Sequence, residues 1–357
     1  MIQLYFWVRK MKLLNEIFGT FSGLCLNRNK TEGIWIGKLK NSREKIGGIS
    51  WTDKHVKALG IYFGLDKEEC SRLNWESRID KMKHILKSWE KRNLSIIGKI
   101  LIIKTLIVPI FTFLASSIYV PDKYKKEIEK EIYGFIWKGK TDRVKRLSMI
   151  GSYECGGLNM IDIDSYFKAL KLTFVNRLLE GGVQNWKVIP MKYFNEFGQN
   201  FLVFYMNTDD IKSLPYIEKL PRFYKQLLSI WTKNTKLDNI SSFYEIRQQI
   251  LWGNKFIKYK NKCVIFKNWI KSGFIYVNDI IDERGNLSTE FLLQRLKDKS
   301  NWISEYTLLK KIFPKSWLNT LLGENSVKSK VKTSFIRLIG KISIFLYNPS
   351  VMFSIQN

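Results

Sequence analysis

The chain has 357 residues, of which 45% are hydrophobic and 14% are aromatic. Disordered chains are poor in such residues, so this composition excludes a largely unstructured protein. The 60 basic and 32 acidic residues give a formal net charge of +28. An excess of this size favours a polyanionic partner, either nucleic acid or an anionic membrane surface.

Cysteine and histidine are too sparse for a zinc site or a disulfide framework. The four cysteines form no CxxC pair, and the chain has two histidines. Structural zinc needs clustered Cys and His ligands, and disulfide-rich folds need many cysteines in a short chain. The sequence therefore predicts no metal site and a reducing, intracellular compartment, either nucleus or cytoplasm. The length suggests roughly two or three domains of about 150 residues each.

One apolar segment raises the question of a membrane span. Residues 100–120 are apolar except for Lys104 and a few hydroxyl groups, and Pro109 interrupts them. A spanning helix needs about 20 apolar residues, whereas the run 105–119 that follows Lys104 has 15 residues. The segment therefore favours a buried core helix and no membrane partner. The N-terminus is apolar up to Val8 and then basic, without the small-residue cleavage site of a signal peptide.

Residues 1–66 combine one amphipathic stretch with short β-like runs. The apolar residues of the stretch recur at helical spacing and are Leu4, Trp7, Met11, Leu14 and Phe18. The β-like runs are Gly33–Leu39, Ile46–Trp51 and Val56–Phe63, separated by turn-rich segments. This part of the chain predicts a helix followed by small antiparallel strands.

Residues 67–150 carry three helical patterns. In the first, apolar residues recur at spacings of three and four from Trp75 to Trp89, beneath a basic face. The second is the apolar segment 94–117. The third begins after Pro121-Asp122, where a helix start is expected, and its apolar stripe runs from Tyr124 to Ile136. The short connections between them predict a small helical bundle.

Residues 151–357 predict a second helical region. It opens with Gly156-Gly157 and a helix, and helix-like stretches follow at 222–233, 288–297 and 302–311. The fold class predicted from the whole chain is mainly α. A small α+β part (1–66) precedes a helical bundle (67–150) and a helical C-terminal region (151–357).

Basic residues concentrate in two places. Nine basic and three acidic residues lie within 72–104, and five basic and one acidic residue lie within 138–146. Lys and Arg on rigid helices, with Trp89 and Trp137 nearby, suit sequence-independent contact with phosphates. The alternative, a solvated helix face, explains most runs of charge. The candidate nucleic-acid-binding residues are Lys83, Lys87, Lys91, Arg92, Lys99, Lys104, Lys138, Lys140, Arg143, Lys145 and Arg146.

Candidate catalytic residues are few. His55 and His84 support no Ser-His-Asp or Cys-His site, and His84 is expected at the surface. Asp209-Asp210 follows the apolar run 201–205, and adjacent carboxylates after a strand are how polymerases hold two metal ions. Pro215 comes almost at once, however, where a catalytic hairpin needs a second hydrophobic strand. We therefore expect a polar loop or helix cap at this pair, and we assign no catalytic or metal-binding residue.

Short sequence motifs follow one another in a characteristic order. They are Phe21–Asn27, Lys30-Thr31-Glu32, Leu59-Gly60-Ile61, Asn74-Trp75, Trp89–Ser95 with Gly98-Lys99 and Lys104, Phe135–Lys140, Glu154–Leu158 and Lys168–Lys171. This order resembles the polymerase protein of non-LTR (LINE-type) retrotransposons from just past its catalytic aspartate hairpin onward. Gly273-Phe274-Ile275, Asp279-Ile280 with Gly285, and Tyr306–Trp317 resemble the helical region that follows the thumb there. The resemblance spans about residues 15–320.

The resemblance implies a role for each part of the chain. Residues 1–66 would be the end of the palm with a primer-grip-like hairpin, 67–150 the thumb, and 151–357 the helical region that follows. Lys30 matches the lysine after the catalytic hairpin, which would protonate the leaving pyrophosphate, and Leu59 and Gly60 fall within the palm remnant. The metal-binding aspartates and their Mg²⁺ would lie upstream of Met1. We therefore expect no cofactor in this chain and no polymerase activity by this chain alone.

These observations predict a reverse transcriptase fragment that binds template–primer nucleic acid through a basic thumb. Its expected partners are an RNA template, an RNA–DNA duplex and an upstream polymerase part. The alternative is a transposon-derived helical scaffold or interaction protein without a nucleic-acid function. Ionic strength distinguishes the two, because contact with phosphates weakens steeply as salt rises.

Overall fold

The computed structural model describes residues 17, 19–24, 27–35, 40, 48–182, 184–198, 201–235, 240, 242–282 and 285–323. The predicted amphipathic stretch 4–18 lies outside the described residues except for Ile17, and so does the tail after 323. By their contacts the residues group into two units. Unit 1 comprises residues 1–114 and 121–145, and unit 2 comprises 115–120 and 146–357. The three-part division at 66 and 150 stays a prediction.

The small β part of unit 1 consists of two strand pairs. Strands β1 (Glu32–Ile34) and β2 (Ser50–Thr52) pair in parallel, which corrects the prediction that all strands here are antiparallel. Gly33 is required at this pairing, because a Cβ there would lie 2.8 Å from the ring of Trp51. The Trp51 ring stacks instead on Trp35, with 4.2 Å between the ring centroids.

The run 56–63 forms a hairpin rather than the single strand that was predicted. Strand β3 (His55–Ala58) pairs antiparallel with β4 (Ile61–Gly64). The two residues between them, Leu59 and Gly60, both have positive φ angles, of 49° and 78°. A two-residue loop with this backbone matches the right-handed twist of a hairpin, and glycine adopts the conformation without steric cost.

The first helix of unit 1, α1 (Lys67–Glu90), follows the predicted apolar stripe. Asp66 caps it, since its carboxylate accepts hydrogen bonds from the backbone N–H groups of Glu68 and Glu69 at 2.9 and 3.1 Å. The buried face carries Trp75, Ile79, Met82 and Leu86 at spacings of three and four. His84 is exposed, as predicted.

The predicted helix 94–117 runs without interruption from Ile96 to Ser117. It consists of α2 (Ile96–Ile102), a π-helical segment (Ile103–Ile107) and α3 (Val108–Ser117). The wider π turn lies directly before Pro109. Proline has no backbone N–H and its ring clashes with the preceding turn of an α-helix, so a locally widened turn lets the helix continue through it.

The third predicted helix is α4 (Asp122–Trp137), which begins after Pro121 as expected. The core of unit 1 lies where the helices meet. The ring of Trp75 lies parallel to that of Phe111 from α3 at 6.4 Å and to that of Tyr124 from α4 at 5.9 Å between centroids. One aromatic ring from each of three helices therefore holds the bundle together.

In the described part of the chain, Ile96–Ser117 is the one helix long and apolar enough to cross a membrane, judged by length and composition alone. One third of its most apolar stretch is buried, and the core helix of a soluble protein meets the same criteria of length and composition. Ile103, Ile107 and Phe111 lie in the core of unit 1 with at most 1% of their surface exposed. The absence of a membrane partner stays a prediction.

Unit 2 is predominantly helical. Its longer elements in the described residues are α5 (Arg146–Ile150), α6 (Ile163–Leu179), α7 (Val188–Phe194), α8 (Arg222–Asn234), α9 (Phe243–Arg247), the strand pair β5 (Lys258–Tyr259) and β6 (Lys262–Cys263), α10 (Lys267–Lys271), α11 (Thr289–Arg295), α12 (Trp302–Ile312) and α13 (Lys315–Gly323). The stretches predicted at 222–233, 288–297 and 302–311 are all helical, with bounds that differ by at most two residues. The predicted fold class, mainly α with a small α+β part, is confirmed.

Tryptophan side chains organise the core of unit 2. The indole N–H of Trp231 donates to the carbonyl oxygen of Phe204 at 2.6 Å, and that of Trp252 donates to Phe274 at 2.7 Å. The indole N–H of Trp269 donates to the Glu305 carboxylate at 2.7 Å. Each ring therefore buries its apolar surface without leaving its polar atom unpaired.

Candidate nucleic-acid interface

The lysines on the basic face of α1 differ in exposure and in ion pairing along the helix. Lys83 is half-buried and forms ion pairs with Glu127 at 2.7 Å and Glu131 at 3.9 Å. The hydrogen bond to Glu127 raises the pKa of Lys83, so this lysine is charged but already neutralised. Lys87 and Lys91, farther along, are exposed and have no ion pair in the described part of the chain. The last turns of α1 therefore offer the free cations.

Lys99 has a different role from the one its sequence context predicts. Its side chain is buried, and its ammonium group donates to the carbonyl oxygens of Phe135 at 2.8 Å and Ile136 at 2.7 Å. These carbonyls belong to the last turn of α4, where they have no partner within the helix and where the helix dipole favours a cation. Lys99 thus stabilises the end of α4 and cannot reach a phosphate on the surface.

Lys104 is also less accessible than predicted. It lies in the π-helical segment, is half-buried, and its pKa is lowered by that burial. Desolvation weakens a lysine as a phosphate ligand because the charged form is disfavoured. We therefore leave Lys99 and Lys104 out of the proposed interface.

The basic segment after α4 is fully exposed. Lys138 and Gly139 have positive φ angles of 54° and 72°, and the backbone N–H groups of both donate to the carbonyl oxygen of Gly134. This left-handed ending terminates the helix. The exposed cations of the segment are Lys138, Lys140, Arg143, Lys145 and Arg146.

The structure brings the two basic clusters to the same end of unit 1. The pKa of Lys99 is lowered by burial first and then by the positive charge of Lys138, while the charge of Glu90 acts in the opposite direction. The ammonium group of Lys99 in α2 also donates to two carbonyl oxygens in the last turn of α4, and only residues 91–95 separate α1 from α2, so the three helix ends lie close together. We call this region the basic end, defined by Lys87, Lys91, Arg92, Lys138, Lys140, Arg143 and Lys145. Arg146 begins α5 and belongs to unit 2.

The residues assigned to the palm remnant lie on two separate turns. Lys30 is exposed at the end of a short 3-10 helix (Arg28–Lys30), and Leu59 is 88% exposed at the tip of the β3–β4 hairpin. The carbonyl oxygen of Gly60 accepts a hydrogen bond from the Arg78 guanidinium at 2.9 Å. The roles that the resemblance implies for these residues stay predictions.

Sequence reasoning missed the residues that fix this hairpin to α1. The buried side chain of Asn74 accepts from the backbone N–H of Tyr62 at 2.8 Å and donates to its carbonyl oxygen at 2.9 Å. Together with Arg78, it ties the backbone of β4 and of the hairpin tip to the helix. The available signal was an asparagine beside Trp75 on the apolar face of α1, since a buried amide there requires polar partners.

The paired aspartates of unit 2 form a polar loop and a helix cap, as predicted. Asp209 forms an ion pair with Lys258, whose ammonium lies 2.9 and 3.0 Å from its two carboxylate oxygens. Partial burial raises the pKa of Asp209, but the hydrogen bond and charge of Lys258 together with two backbone N–H groups outweigh it, and the net pKa is lowered. Asp210 caps a short 3-10 helix through the N–H of Lys212 at 2.9 Å. The described residues contain no group of three or more His, Cys, Asp or Glu side chains able to hold a metal ion.

Comparison with known proteins finds similarity to a transposon protein. No family model matches the chain. A Xenopus laevis protein described as the transposon TX1 uncharacterized 149 kDa protein is 22% identical over 229 residues. The similarity supports a transposon-derived origin. The matched residues cover 61% of this chain and 17% of that protein, so the chain spans a small part of its relative's length.

Proposed function

We propose that this chain is part of a retrotransposon reverse transcriptase and binds template–primer nucleic acid through the basic end of unit 1. The similarity to a transposon protein and the order of the short sequence motifs support the retrotransposon origin. The observation that carries the binding role is that both basic clusters lie at the same end of the helical bundle, where Lys99 in α2 binds the carbonyl oxygens at the end of α4.

The chemistry of the basic end suits a polyphosphate backbone rather than a single anion. Lys87, Lys91 and Lys138 are exposed and lie on or next to helix ends whose backbone is fixed by capping hydrogen bonds. Several separate cations on a rigid support can each neutralise one phosphate and release its counterions. Such contacts position the protein on a duplex without reading its sequence.

The alternative function, a helical scaffold or interaction protein, is favoured by one different observation. The helix Ile96–Ser117 leaves large apolar side chains exposed in unit 1, namely Ile97 and Leu101 at 58% each and Phe113 at 49%. Exposed apolar patches often mark protein–protein contacts. Binding through such a face would depend weakly on salt, because few charges would be neutralised.

Fluorescence anisotropy with a labelled RNA–DNA hybrid at increasing salt tests the proposal. The wild-type affinity is expected to fall with a log–log slope of about −0.9 per phosphate neutralised. Replacing Lys87, Lys91 and Lys138 by Gln should weaken binding equally across sequences. It should also flatten the slope by up to about three units.

A matched control removes the same charge elsewhere. Lys310, Lys311 and Lys315 are exposed in unit 2, and replacing these three by Gln should leave the slope at its wild-type value. An equal loss in both triple variants would mean that net charge alone drives binding and would overturn the assignment to the basic end. No salt-dependent binding by the wild-type chain would refute the proposed function and leave the scaffold alternative.

A further inference from the structure

An arginine–tryptophan pair lies within the basic end. The Cζ atom of Arg92 lies 4.1 Å from the centroid of the Trp89 ring. Arg92 is exposed and Trp89 is half-buried. Among the described residues Arg92 forms no ion pair with a carboxylate, and its guanidinium contacts the indole ring.

The backbone around this pair is held by a tight turn. The N–H of Arg92 donates to the carbonyl oxygen of Trp89 at 3.1 Å, directly after the end of α1. The N–H of Leu94 then donates to the carbonyl oxygen of Arg92 at 3.0 Å. These bonds hold the backbone at Arg92 in a turn that places its side chain beside the Trp89 ring.

The Arg92 guanidinium lies against the indole ring and remains accessible to solvent. Its Cζ atom is 4.1 Å from the ring centroid, and the residue is exposed. A guanidinium is planar and weakly hydrated, so it stacks on a second flat group more readily than an ammonium does. Unpaired nucleobases stack on Arg planes in this way, whereas the bases inside a duplex are already stacked on one another.

We propose that Trp89 and Arg92 form a stacking platform for one unpaired nucleobase beside a duplex bound at the basic end. Lys87 and Lys91, on either side of Trp89 in the sequence, supply the cations for the neighbouring phosphates. The inference rests on the proposed function and narrows its ligand from any duplex to a junction of duplex and single strand.

The experiment compares two ligands that differ by one nucleotide. The first is a blunt RNA–DNA hybrid, and the second is the same hybrid with one unpaired 2-aminopurine nucleotide at an end. The wild-type chain should bind the second about tenfold more tightly, the usual scale of one base stacked on a side chain. The 2-aminopurine fluorescence should be quenched on binding, since stacking on the platform changes its surroundings.

Arg92→Lys keeps the positive charge but replaces the planar guanidinium by an ammonium group. This variant should bind the two hybrids with equal affinity, so that the tenfold preference is lost, and the 2-aminopurine fluorescence should no longer be quenched. The control Lys87→Gln removes a nearby exposed cation outside the stack. It should weaken both ligands by the same factor and keep the preference.

The failures of the two proposals are distinguishable. Wild-type binding to both hybrids with equal affinity would overturn the platform and leave the proposed function intact. If Arg92→Lys kept the tenfold preference for the hybrid with the unpaired nucleotide, the platform would also be overturned, because the positive charge alone would then suffice. Binding to neither hybrid would refute the proposed function itself, and the platform with it.

Discussion

Lys171, on α6, is a buried lysine of unit 2. Its side chain is 1% exposed, its ammonium donates to the carbonyl oxygen of Ile118 at 2.6 Å, and it lies 4.1 Å from the centroid of the Phe223 ring. Gln226 binds the backbone N–H and carbonyl of Val120 at 3.0 and 2.8 Å. Lys171 and Gln226 together hold the short segment 115–120 within unit 2.

Burial lowers the pKa of Lys171 to about 7, and this shift makes stability depend on pH. Below pH 7 the lysine is charged in both states, and the folded state carries the full cost of the buried cation. Between pH 7 and the ordinary pKa near 10.5, the folded lysine is neutral while the unfolded one still binds a proton. The free energy of unfolding should therefore rise over this range, by up to about 1.4 kcal/mol per pH unit.

Urea unfolding at pH 7, 8 and 9 measures this effect. Lys171→Met removes the titrating group, so its free energy of unfolding should lack the rise that the wild type shows. The control Lys192→Met removes an exposed lysine of α7 and should keep the wild-type rise. If the free energy of unfolding rose with pH equally in the wild type and in Lys171→Met, Lys171 would not be the titrating group.

At the scale of elements, the exposed segment after α4 offers a direct test of contact. Residues 138–146 should be cut quickly by trypsin in the free protein, because their cations are exposed and the left-handed ending at Gly139 stops the helix. A saturating RNA–DNA hybrid should protect them, since its phosphates would order the segment.

The turn between β5 and β6 serves as the control cleavage site. Lys260 and Lys262 are exposed there, in unit 2, and cleavage at them should be the same with and without the hybrid. Equal cleavage of residues 138–146 under both conditions would contradict the contact and leave a solubilising surface loop.

Helices were more predictable than strands for a physical reason. Periodic apolar stripes with caps at Asp66 and Pro121 give the helices a signal that repeats over many turns. The run 56–63 is a hairpin because the chain reverses at Leu59-Gly60, and only one of these two residues is typical of such a turn. The parallel pairing of β1 with β2 joins residues far apart in sequence, so no local pattern indicates it.

At the scale of the whole molecule, we expect no primer extension by the purified chain. Both carboxylates of the adjacent pair Asp209-Asp210 already have partners, because Asp209 forms an ion pair with Lys258 and Asp210 caps a 3-10 helix. Two-metal phosphoryl transfer requires carboxylates that are free to hold the ions. A primer annealed to RNA, with Mg²⁺ and all four deoxynucleotides, should therefore remain unextended on a denaturing gel. Extension that disappears in the double variant Asp209→Ala and Asp210→Ala would contradict this expectation.

The sequence by itself determined the fold class, the helix positions and the presence of two basic clusters, because composition and periodicity are local properties of the chain. Only the tertiary structure decided which cations are available. Lys87 and Lys99 look alike in sequence, yet one is exposed and the other is buried beneath the end of α4. The carbonyls that bind Lys99 lie 36 and 37 residues along the chain. Burial and pairing of a charge depend on such distant partners, which no local pattern reports.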